Sequence, residues 1–122
     1  MILDGANHAS EVLDDQNITD TMGGNKVFWG LAKSGTTGAF ITYVISHGAS
    51  ETKEGRFPYK AEIWLFDKSL TDAATKAKAV IGHIKNNLLA QQHRWKLESS
   101  DGDYTSQEGD QAYIKITYNF KL

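Results

Sequence analysis

A strand pattern that runs straight into a capped helix, from Tyr59 to Leu89, limits what this chain can fold into more than any other stretch. In Tyr59-Lys-Ala-Glu-Ile-Trp-Leu-Phe66, the residues Tyr59, Ala61, Ile63 and Leu65 fall on one side and Lys60, Glu62, Trp64 and Phe66 on the other. That is the two-residue period of a strand. Ser69 then offers a hydroxyl N-cap, and Asp72 stands three residues on, where a carboxylate reaches back to the cap and favours the positive end of a helix. Beyond the cap, Leu70, Ala73, Ala74, Ala77, Val80, Ile81, Ile84 and Leu88 make one apolar stripe at a 3.6-residue period. Strand and helix are therefore expected to bury one another. The predicted core is Ile63, Leu65, Ala77, Ile81 and Ile84 together with Ile114 and Ile116 of the last strand.

The flanking elements are weaker. Leu3, Ala6, Ala9 (or Ser10) and Leu13 fit a short amphipathic N-terminal helix, which Gly5 and the paired Asp14-Asp15 do not favour, and a second short turn follows at Ile18 to Met22. Lys26 to Gly30 reads as a brief strand or extended arm, and Ala39 to Ser46 as a central strand rich in β-branched and aromatic residues. The polar run Ala49 to Gly55 connects it to the Tyr59 strand, most simply as an antiparallel pair, and the single proline, Pro58, sits where a missing N–H does least harm. After the helix ends near Asn86-Asn87-Leu88, Arg94 to Glu98 reads as a strand, Ser99 to Gln111 as a polar loop, and Ala112 to Leu122 as a final strand. In that strand Ile114, Ile116, Tyr118, Phe120 and Leu122 share one face. The expected fold class is α+β: an antiparallel β-sheet of about four strands with one long helix packed on one face and a short N-terminal helical segment, in a single domain over 1–122.

Composition removes several functions. The 13 basic and 15 acidic residues leave a formal charge of −2, so no global attraction draws the chain to nucleic acid or an anionic membrane. Without cysteine there is no disulfide, thiolate nucleophile or zinc-thiolate site, and no stretch approaches the ~20 apolar residues of a membrane span. His8, His47, His83 and His93 show no i, i+4 spacing for a metal. Asp101, Asp103, Glu108 and Asp110 lack the spacing of a calcium loop, and Ser34-Gly-Thr-Thr-Gly38 is not followed by the lysine and helix of a phosphate cradle. No Gly-x-Ser-x-Gly elbow selects a nucleophile. The expectation is no catalytic residue, no metal and no cofactor. Trp64 and Phe66, opposite the core face, suit a surface that meets a partner, with the alternative that they pack under the N-terminal segment or the Val27-Phe28-Trp29 arm. The expected interface comprises Trp29, Trp64 and Phe66, with the loops around Lys53 and Asp103 and the free sheet edges.

The succession of a short helical segment, Met22-Gly-Gly-Asn-Lys-Val-Phe-Trp29, Phe40-Ile-Thr-Tyr-Val-Ile45, Arg56, the Tyr59 to Phe66 strand, the alanine-rich helix and Tyr113-Ile-Lys-Ile-Thr-Tyr118 resembles the small tail-completion proteins of long-tailed bacteriophages, also called tail-terminator or head–tail joining proteins. The likeness covers nearly the whole chain at the level of pattern, and departs in lacking a proline between Phe40 and Tyr43. It implies a virion structural protein, assembled in the host cytoplasm, forming a ring of about six subunits that caps the tail tube and docks to the head connector. No catalytic residues carry over. The alternatives are a small-ligand-binding protein or enzyme of ferredoxin-like or cystatin-like type, which needs convergent polar groups between helix and sheet, and a sheet-face RNA binder, which the charge disfavours.

Overall fold

The computed structural model describes residues 2–24, 26–47, 57–104 and 111–122, with 103 and 104 described by backbone alone. The elements are α1 (Ile2–Leu13), α2 (Gln16–Thr21), β1 (Val27–Trp29), β2 (Phe40–His47), β3 (Pro58–Asp67), α3 (Leu70–Lys85), α4 (Leu88–Gln92), β4 (Lys96–Tyr104) and β5 (Ala112–Lys121). The α+β class agrees with the sequence pattern, but the sheet has five strands in the order β1-β2-β3-β5-β4 and is mixed, because β1 runs parallel to β2. A parallel neighbour requires the chain to travel back along the sheet before pairing. The segment between Trp29 and Phe40 does so through Gly30 and Gly38, both at positive φ.

β3 lies at the centre, and Ile63 pairs with Tyr43 on one side and Ile116 on the other. Ile41, Ile45, Ile63, Leu65, Ile116 and Phe120 are buried on the face that α1 and α3 cover, as the strand periodicity requires. Ile81 is only partly buried and packs against the margin of this core.

α3 starts as the sequence indicates. The Ser69 hydroxyl accepts the Asp72 N–H at 3.1 Å, while the Asp72 carboxylate stands 3.8 Å from Lys68. The preceding Asp67, buried at the end of β3, accepts from Lys76 Nζ at 2.6 Å and from the Lys68 N–H at 2.7 Å. Burial raises the pKa of this carboxyl, but the Lys76 and Lys68 bonds outweigh it and hold the group below its ordinary value. Strand and helix are thus tied by an ion pair as well as by packing. The stripe ends earlier than its period suggests: α3 stops at Lys85, and Asn87 accepts the Ala90 N–H at 3.0 Å to cap the separate α4. Leu88, expected on the buried stripe, is exposed.

One other expectation is corrected. β4 runs from Lys96 to Tyr104, taking in residues read as loop from Ser99 onward, because an edge strand needs only backbone pairing with β5 and tolerates polar side chains. The amphipathic N-terminal helix is present as expected: α1 is twelve residues long and carries Gly5 within it. That glycine sits against the Tyr59 ring and the Ile45 side chain, where any Cβ falls inside contact distance. Gly5 thus allows α1 to lie flat on the sheet, and Gly5→Ala is expected to lower stability by ~1–3 kcal/mol through overpacking, despite its better helix propensity. Denaturant midpoints of the two proteins check this; an unchanged or raised midpoint shows that α1 can lift at no cost.

Candidate functional site

The helices leave the second face of the sheet uncovered among the described residues, since α1 and α3 both lie on the Ile63 side. Register builds that face in rows. Phe40, Phe66 and Tyr113 stand side by side on β2, β3 and β5. Phe40 stacks on Phe66 with ring centroids 4.8 Å apart, and Tyr113 lies 5.9 Å from Phe66 at a tilt. The next row holds Phe28, Thr42, Trp64, Lys115 and Asp101. Lys115 Nζ lies 5.2 Å from the Trp64 ring centre and 2.7 Å from Glu62. The hydrogen bond with Glu62 keeps the Lys115 ammonium above its ordinary pKa. Lys60 pairs with Glu98 of β4 at 3.3 Å in the charged end of the face. The result is a graded surface, aromatic at one end and ion-paired at the other, with its rings fixed by cross-strand packing. A surface of preordered rings with internally satisfied charges is suited to protein contact, since little side-chain entropy is lost when it is covered.

Of the residues expected at an interface, Trp64 and Phe66 belong to this face and do not pack under α1. Trp29 does not join them. It pairs with Tyr43 and so points to the helix side of the sheet, at the β1 edge, where it is 51% exposed. Lys53 lies outside the described residues. Asp103, expected in a loop, is part of β4, its backbone paired with Tyr113. Phe40 and Tyr113 are absent from the interface expected from sequence, although parity marks both: each is in phase with Phe66 once the strands are registered.

A second cluster lies beneath the sheet. His8 of α1 and His93 at the end of α4 have ring centroids 4.4 Å apart, against Trp95 and Phe120. The Trp95 indole N–H donates to His8 Nε2 at 2.9 Å, so the neutral His8 ring carries its proton on Nδ1. His93 Nδ1 donates to the Lys121 carbonyl at 3.1 Å. Burial, and then the neighbouring His93, lower the His8 pKa to about 4. The unfolded chain therefore takes up a proton near its ordinary value of ~6.5 while the folded one resists. Stability from His8 is complete above that value and drains away as pH falls toward about 4. Between about pH 7.5 and about pH 5 the native chain is expected to lose ~2 kcal/mol that His8→Gln does not lose. Equal pH slopes in the two unfolding series contradict a buried neutral His8. Among the described residues no three of His, Asp and Glu gather as a metal-binding group, and the calcium-like Asp101 to Asp110 stretch falls partly outside them. Among the same residues no helix is long and apolar enough to cross a membrane.

No protein-family model matches the sequence, and no curated protein matches it. The fold is shared with a chain in a solved structure described as "Virion of native gene transfer agent (GTA) particle": TM-score 0.58 and 10% sequence identity, over 93% of this chain and 92% of that one.

Proposed function

We propose that this chain is a structural protein of a phage-like virion and, within that class, a tail-completion protein that forms a ring at the end of the tail tube and joins it to the head connector. The observation that carries the reading is fold agreement over nearly the full length of both chains with a component of a virion particle. The tail-end role rests on the resemblance of the Met22 to Trp29, Phe40 to Ile45 and Tyr59 to Phe66 stretches. A sheet with an aromatic face and two edges, β1 and β4, left uncovered among the described residues supports it physically, because subunits in a ring cover such surfaces for one another. The partners are then other copies of the chain, the tail tube and the connector; the site is the virion, after assembly in the host cytoplasm. In this reading the protein has no enzymatic activity, and its aromatic face acts by contact alone. Immunogold labelling of particles purified from the source tests it: label at the head–tail junction supports the proposal, and particles free of the protein overturn it.

A further inference from the structure

The two edges of the sheet are unlike, and they are complementary. At the β4 edge, on the helix side, α3, α4 and the strands form a half-open apolar pocket of about 290 Å³, lined by Ile81, Ile84, Ala90, Trp95, Leu97 and Tyr118 together with Lys85 and Gln91. An apolar cavity of roughly 150 Å³ already accepts benzene, so this pocket has room for an indole. At the β1 edge, Trp29 is half exposed on the helix side, and Leu31, just beyond the strand, is almost fully exposed.

We propose that one copy of the chain docks its β1 edge beside the β4 edge of the next, inserting Trp29 into this pocket. Direction agrees. β1 and β2 run one way, β3 the other, β5 back again and β4 opposite to β5, so β1 and β4 are antiparallel. A neighbour that extends the sheet without turning over thus presents β1 antiparallel to β4 and its Trp29 on the helix side. Charge agrees as well. Residues 26–38 carry Lys26 and Lys33 and no acid, whereas the described side chains of β4 include Glu98 and Asp101 against Lys96. Lys85 lines the same pocket, so a cation is at hand for the arriving indole. The contact joins two different patches, so it repeats from copy to copy until a ring closes. The inference rests on the ring reading above and specifies its contact.

The chain has no cysteine, which permits a clean crosslinking test. β1 and β4 lie four strand spacings apart, about 19 Å, well beyond the ~7 Å that a disulfide spans. Leu31→Cys with Leu97→Cys on the full chain is expected to give a ladder of covalent oligomers on oxidation, and each single variant none. Trp29→Ala and Leu97→Glu, both at exposed positions, are expected to weaken self-association at least tenfold by light scattering while leaving thermal unfolding in place. Oligomers of native mass that give no ladder and survive both substitutions overturn these surfaces and leave the ring standing. A monomer at every concentration overturns the surfaces and the ring together.

Discussion

Ile63→Ala and Ile116→Ala are each expected to lower unfolding free energy by ~2–5 kcal/mol, enough to leave a domain of this size marginal or unfolded at ambient temperature. Both side chains are fully buried and face each other across the central pair of strands, β3 and β5. Each truncation removes the transfer energy of three carbons and leaves a cavity that strands locked in register cannot close. The double variant is expected to differ from the sum of the singles, because the two residues share one void. Lys60→Ala on the other face, where the side chain is only partly covered and its partner Glu98 is largely exposed, provides the contrast, with an expected cost of at most ~1 kcal/mol. Midpoints in urea that do not move for Ile63→Ala would show the core face of β3 to be wrongly assigned.

The second large effect is on assembly. In Trp64→Glu with Phe66→Lys the fold is expected to persist, since both residues lie on the face away from α1 and α3 and neither contributes to the main core. The stack from Phe40 through Phe66 to Tyr113 is broken, and the carboxylate introduced in place of Trp64 competes with Glu62 for Lys115. Aromatic anchors at interface centres commonly contribute ~2 kcal/mol or more each, so binding of the double variant to purified tail tubes is expected to fall at least ~100-fold. Sedimentation with tubes, alongside circular dichroism and thermal unfolding as fold controls, reads this directly. Native binding by the folded double variant removes the open face from the proposed interface and leaves the edges as the remaining candidates.

Legibility in the sequence followed the length and regularity of each element. β3, β5 and α3 could be read because each carries a sustained period, and Ser69 marked the helix start with a single hydroxyl. α4 was hidden by its own cap: Asn86-Asn87 reads as the end of one helix, while Asn87 also begins another. β4 was cut short because Ser99 to Asp103 shows no alternation, its pairing being supplied by the backbone of β5. β1 is three residues long, too short to announce its direction. The aromatic face was half visible, since parity on β3 isolates Trp64 and Phe66, whereas adding Phe40 and Tyr113 requires the register between strands. The His8 and His93 pair, the separation of Trp29 from Trp64, and the pocket beneath β4 arise from tertiary folding and leave no local trace.

The reading as a ring-forming virion protein stands or falls most directly on mass in solution. Light scattering of the full chain across a concentration series is expected to rise from the 13.5 kDa of one chain to a plateau at one whole-number multiple of it, near six, and to stay there as concentration increases further. A mass that remains at one chain throughout, or grows without a plateau, contradicts a closed ring.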